Sequence, residues 1–198
     1  RTPGNMHLSF GTPLHLTDFM SKFDVPENSL PAERTDTPLD DKASAMVDNI
    51  GVKVMQHINK AAVVTPVSLL SLVLLSAPKA ALDEEICREQ IALYQGLAQQ
   101  LSYSDDTVIT DMSPQQIIDY GIKLKLIERT PHILGAIIQI AGKQAALLSY
   151  FRNNILHFFI LLSFLAALVA RNGRIERSRL DNIAKQLYPF LQSELFLY

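Results

Sequence analysis

A mainly α fold with a small β component is what this sequence predicts. Three features predict it: apolar residues recurring at helical spacing over several stretches, capping residues placed before them, and one short pair of strand-like runs. The chain has 198 residues, 48% of them hydrophobic and 19% charged. That composition supports a packed core and argues against disorder of the whole chain.

The first element is strand-like. The run His7-Leu8-Ser9-Phe10 precedes a turn at Gly11-Thr12-Pro13, and a lone strand cannot satisfy its backbone groups, so it is expected to belong to an upstream sheet. A short helix is expected near Thr17 or Asp18 and to run through Lys22. Residues 1–23 therefore read as the tail end of an upstream domain. Residues 24–39 contain Pro26, Pro31 and Pro38 among acidic residues, the composition of an extended linker. A helical domain is expected over 40–198.

Within that domain, Asp40 and Asp41 suit a helix start, where the dipole favours negative charge. Met46, Ile50, Val54 and Ile58 recur every four residues to about Ala62. Thr65-Pro66 is a cap followed by proline at the first helical position. The nearly all-apolar Leu69 to Leu75 should be buried, and Pro78 should end that helix. A third helix starts near Asp83-Glu84-Glu85. A polar loop spans Leu101 to Asp111, and Ser113-Pro114 opens a fourth helix. Leu126 to Arg129 and Ala136 to Ile140 read as a hairpin bent over Thr130 to Gly135. The order of three helices and a hairpin is that of a winged-helix-like portion. A long helix is expected from Gly142 to Ala170, stopped by Asn172-Gly173. Ser178 can cap a last helix through Phe190, where Pro189 is a potential break.

Charge is uneven along the chain. Residues 1–50 hold four Lys/Arg against eight Asp/Glu, and residues 151–198 hold six against three. No strongly basic face appears, so nucleic acid is not the expected partner. Cys87 is the one cysteine, so no disulfide forms within the chain, and a buried thiol on a helix is the expected reading. The five histidines are not paired with each other or with Cys87 at metal-ligand spacing, so neither a metal site nor a cofactor is expected. Five positions after the histidines stand Thr12, Met20, Ala62, Ile137 and Leu162. None is an acid, so the His-x4-Asp pair of acyl transfer to glycerolipids is not in these residues.

The most unusual stretch is Tyr150-Phe151-Arg152-Asn153-Asn154-Ile155-Leu156-His157. On a continuous helix, Tyr150, Asn154 and His157 share a face, and Asn153 and His157 lie one turn apart. Two readings stand side by side. Either these groups satisfy one another inside a core, or Arg152, Asn153, Asn154 and His157 face a substrate phosphate, a headgroup or a catalytic domain. After it, the apolar run from Ile155 to Ala170 is shorter than the roughly 20 residues a spanning helix needs. It suits a core helix or one lying on a membrane surface. Arg171, Arg174, Arg177 and Arg179 follow, as contacts for anionic lipid or another partner, or as a solvated helix start.

Taken together, these phrases resemble the bacterial membrane-bound glycerol-3-phosphate acyltransferases. The run from Tyr150 to His157 is similar to that family's Tyr-Tyr-Arg-Asn-Asn-Ile-x-His, with Phe151 at the second tyrosine. Phe10-Gly11-Thr12-Pro13, Val63 to Leu75, Leu82 to Glu85, Tyr103-Ser104, Leu187 to Phe190 and Glu194 to Leu197 fit the same register. The resemblance implies the helical C-terminal region of an enzyme that acylates the sn-1 hydroxyl of glycerol 3-phosphate. The acyl donor would be acyl carrier protein or coenzyme A. It implies partnership with an upstream catalytic domain, contact with inner-membrane lipid, and a place on the cytoplasmic face of the bacterial inner membrane. The catalytic His and Asp would lie upstream of Arg1, so the segment alone is expected to be inactive. Two further readings come from the residues themselves. One is a winged-helix binding module, whose helix near 114–126 should then be basic but holds Asp119 beside Lys123 and Lys125. The other is a structural helical adaptor.

Overall fold

The computed structural model describes residues 7–26, 39–101 and 103–197. Eight α-helices and two small sheets stand among them.

The first layer is a helix pair. α1 (Leu16–Phe23) packs on α2 (Asp41–Lys60). Met20, Val25, Ala43 and Met46 form a small core there, lined by Phe19, Phe23 and Ile50. Asp40 caps α2, its carboxylate accepting from the Ala43 amide at 2.6 Å, which satisfies one of the free amides of a helix start. The run His7 to Phe10 forms no strand. Leu8 and Phe10 are exposed and nothing among the described residues pairs with that backbone. Most of the expected linker, residues 27–38, lies outside the described residues.

The main core is built around α3 (Pro66–Ser76), whose residues from Val67 to Leu74 are all buried. Thr65 and Ser68 form a reciprocal capping box at its start, and the chain turns away after Ser76 through Pro78–Ala80. A short strand, β2 (Ala81–Asp83), leads into α4 (Glu84–Gln100), capped by the Asp83 carboxylate on the Glu85 and Ile86 amides. α5 (Pro114–Lys123) has a second capping box, Ser113 with Gln116. β4 (Ile127–His132) and β5 (Gly135–Ile140) then form the expected hairpin, with strands longer and a turn tighter than the sequence indicates. Their sheet has the order β2-β5-β4. A helix, a strand, two helices and a hairpin whose second strand pairs with the first is a winged-helix arrangement, so the winged-helix-like portion is present.

Three short strands depart from the expectation. β1 (Val63–Val64) pairs in parallel with β3 (Val108–Ile109) inside the expected loop, and the Gln95 amide holds the exit by donating to the Thr110 and Met112 carbonyls at 2.7 and 3.1 Å. β2 is the other departure: three residues are too few to show an alternating pattern.

The expected long helix from Gly142 to Ala170 is instead two. α6 (Ala145–Asn153) and α7 (Leu156–Asn172) meet at 88°. Asn153 and Asn154 are weak helix formers whose side chains compete for backbone groups. The bend also lets Leu148, Ile155 and Phe159 enter one core with α3 and α4, which a straight rod would not allow. α8 (Arg177–Leu195) runs through Pro189 without ending. Its N-cap is Glu176 rather than Ser178. Among the described residues of α8 none is fully buried.

Candidate functional site

The helix break scatters the expected polar face. Tyr150 is 65% exposed. The Arg152 guanidinium donates to the Asn153 carboxamide oxygen at 3.1 and 3.3 Å, and both Asn153 and Asn154 are exposed on the outside of the bend. His157 points the other way. It is buried at the start of α7.

What His157 meets lies 98 residues away. Its Nε2 is 3.1 Å from the Asn59 carbonyl. A carbonyl only accepts, so the neutral ring carries its proton on Nε2 and donates it. The Tyr103 ring packs edge-on against the imidazole with centroids 4.8 Å apart, and Phe158 packs beside both. Burial pushes the His157 pKa down to about 4, although the Asn59 bond opposes that shift. A cation here would lose its hydration without gaining an anion.

The same end of α2 also binds the chain's last turn. The Asn59 amide donates to the Leu195 carbonyl at 2.7 Å and to that of Phe196 at 3.3 Å. The Gln56 amide donates to the Leu197 carbonyl at 3.0 Å. Phe196 sits at φ 52°, in the left-handed region that caps a helix, and Leu197 turns inward to be 4% exposed. Gln56, Asn59, Tyr103 and His157 thus form a clasp that joins α2, the loop after α4, α7 and the end of α8. Sequence reading found His157 alone, because partners so distant along the chain leave no local pattern.

The four arginines stand where the sequence puts them. Arg171, Arg174, Arg177 and Arg179 are all exposed around the turn from α7 into α8. No acidic residue lies in the first turn of α8, where the dipole would favour one. Glu176 at the N-cap is the one acid between Arg171 and Arg179, so the corner keeps a net positive charge of four arginines against one carboxylate. Beside it, α7 is apolar along most of its length, yet only His157 and Phe159 are fully buried.

Two open clefts flank α2. One, of about 310 Å³, lies between α1 and α2 and is lined by His15, Asp18, Lys22 and Lys53. The other, of about 400 Å³, is lined by Gly11, Val54, His57 and Asp106. Among the described residues, no three metal-ligating side chains stand together. Cys87 is buried, and burial, with Glu84 nearby, pushes its thiol up to about 12, so it is no nucleophile at neutral pH.

The architecture is that of a helical region assembled around a winged-helix-like core, with its polar groups spent on joining elements. The family model described as the glycerol-3-phosphate acyltransferase C-terminal region matches residues 1–198, and the chain belongs to that family. A glycerol-3-phosphate acyltransferase of Xanthomonas campestris pv. campestris is 37% identical over 194 residues, which cover 98% of this chain and 22% of that protein. The corresponding protein of Xylella fastidiosa strain 9a5c is 35% identical over 201 residues, again 22% of its length. That of Pseudomonas aeruginosa strain LESB58 is 33% identical over 196 residues. The chain thus spans between a fifth and a quarter of the length of the curated relatives it matches.

Proposed function

We propose that this chain is the helical C-terminal part of an enzyme that moves a fatty acyl group from acyl carrier protein or coenzyme A to the sn-1 hydroxyl of glycerol 3-phosphate. The match of all 198 residues to the C-terminal region of that family carries the reading. The segment supplies fold and placement, and the acid–base chemistry belongs to an upstream catalytic domain. Arg152, Asn153 and Asn154 are free of the core and turn outward, as contacts for that domain or for the substrate phosphate would. His157 is held by the Asn59 carbonyl instead and is not part of that outward group.

The α7–α8 corner seats the enzyme on the cytoplasmic face of the bacterial inner membrane. Four exposed arginines beside a half-exposed apolar helix are what an anionic lipid surface attracts. Seventeen residues of α7 reach about 25 Å at 1.5 Å per residue, short of a bilayer's hydrocarbon core. No single helix among the described residues is long and apolar enough to cross a membrane. α6 and α7 pass that test of length and composition only together, as a pair bent by 88°, and contact along the surface is the mode we propose. A nucleic-acid partner is disfavoured, since the Arg129 guanidinium beside α5 is already held by Glu84 and Asp119 at 2.7 and 2.9 Å.

The test is acylation of labelled glycerol 3-phosphate. The purified chain alone should form no lysophosphatidic acid, and the full-length enzyme without this region should lose its activity. Full activity of the shortened enzyme would overturn the reading.

A further inference from the structure

α2 carries apolar residues on two sides, and only one side is covered. Met46, Ile50, Val54 and Ile58 follow one another every four residues. A helix turns once in 3.6 residues, so each such step overshoots a full turn by about 40° and the row winds around the helix. Its first half, Met46 and Ile50, lies in the small core with α1. Its second half has turned away, leaving Val54 42% and Ile58 56% exposed. Val47, 47% exposed, and Gly51 stand on that same side, because 47, 51, 54 and 58 are separated by steps of four, three and four. Three branched apolar side chains and a glycine thus form an uncharged stripe along the open side of α2. Exposed apolar residues scattered singly are ordinary, but a stripe on one helix face is the pattern of a surface meant to be covered.

The path of the chain indicates what covers it. The cleft of about 400 Å³ beside α2 has Ser9, Gly11 and Thr12 on one wall and Val54, His57 and Ile58 on the other. Gly11 lies so near that an added Cβ would stand 3.6 Å from the His57 Nδ1. Toward the chain start, Leu8 and Phe10 are exposed, and the backbone there pairs with nothing among the described residues. The polypeptide therefore enters this region along the open side of α2. Six residues stand before His7, and an extended chain covers at most about 3.5 Å per residue, so whatever precedes Arg1 begins within about 20 Å of His7. The matched family model is a C-terminal region, and the match is 22% of the relatives' length, so the bulk of the parent polypeptide is tethered at this point. Charge selects no partner here, since Asp48 is exposed beside the stripe and both Lys60 and Asp106 line the cleft. Position along the chain selects it.

We infer that the stripe of Val47, Gly51, Val54 and Ile58 seats an apolar surface of the polypeptide that immediately precedes this region, delivered there by the connecting run His7 to Leu14. The inference rests on the reading that the chain is the C-terminal part of a longer acyltransferase.

The experiment places a photo-crosslinking amino acid at Val54 of the full-length enzyme in its native membrane. Crosslinked sites are mapped by mass spectrometry, and glycerol 3-phosphate acylation is assayed on the unsubstituted enzyme in the same membrane. The expected product is a crosslink to residues of the same polypeptide before this region. Ile58→Asp, at a side chain more than half exposed, should cut its yield several-fold, and an unchanged yield would overturn the apolar contact. Crosslinks to lipid, to a second, differently tagged copy, to residues within this region, or to nothing would overturn the docking. An inactive full-length protein that still gives the expected crosslink would overturn the acyltransferase reading while supporting the docking. An active enzyme whose Val54 position crosslinks only to lipid would do the reverse.

Discussion

His157 illustrates how one side chain can look functional and act as a strut. Its ring is buried, neutral and donating to the Asn59 carbonyl. Removing it with His157→Ala leaves both a cavity and an unsatisfied carbonyl, at a cost of about 2–4 kcal/mol in unfolding free energy. Urea titration measures that directly. The pH dependence follows from the depressed pKa. In the unfolded chain the ring binds a proton near pH 6.5, but in the folded one only near pH 4. Protons therefore favour unfolding across that window. This contribution is complete above pH 6.5 and is lost as pH falls toward 4, by roughly 3 kcal/mol in all. His157→Gln keeps a donor for Asn59 and does not titrate, so its stability profile should be flat over the same window. A wild-type profile equally flat there would show that the ring is not buried in solution.

Elements whose rules are local were legible in the sequence. Thr65-Pro66, Asp83 and Ser113-Pro114 each mark a helix start, because capping chemistry is written within four residues. The Ser113→Ala change, which breaks one of the two capping boxes, should cost about 1 kcal/mol, read as a lower unfolding midpoint with an unchanged denaturant slope. Elements fixed by distant partners were not legible. The bend at Asn154 serves a core shared with α3, and β2 exists only because β5 lies beside it. Gly121 belongs to this class too. A Cβ there would stand 2.6 Å from the Leu70 Cδ1 and 2.9 Å from the Ile127 Cδ1. Glycine is thus what lets α5 approach α3. The variant Gly121→Val forces those side chains apart and should destabilise by about 1–3 kcal/mol, more than the same change at Gly51 or Gly96, where nothing lies within 4 Å. The candidate site was legible only in part for the same reason. Its residue types stood out, but their grouping assumed one continuous helix.

The whole molecule divides its labour by region: a packed winged-helix-like core, a clasp at one end of α2, and a cationic corner on a half-exposed apolar helix. The corner's role can be read with anionic vesicles. Flotation of the chain should weaken in high salt, because lipid attraction to exposed arginines is screened. It should fall at least tenfold when Arg171, Arg174, Arg177 and Arg179 are all changed to Gln, since each contributes on the order of 1 kcal/mol. Unaltered flotation of that variant would overturn the electrostatic part of the membrane reading. The clasp carries a different consequence, one of timing. Its bonds from Gln56 and Asn59 to the carbonyls of residues 195–197 span 136 to 141 positions. A ribosome releases α2 long before it releases the turn that α2 must hold, so the amides of that helix end wait in water while the central helices, rich in nearby partners, assemble first.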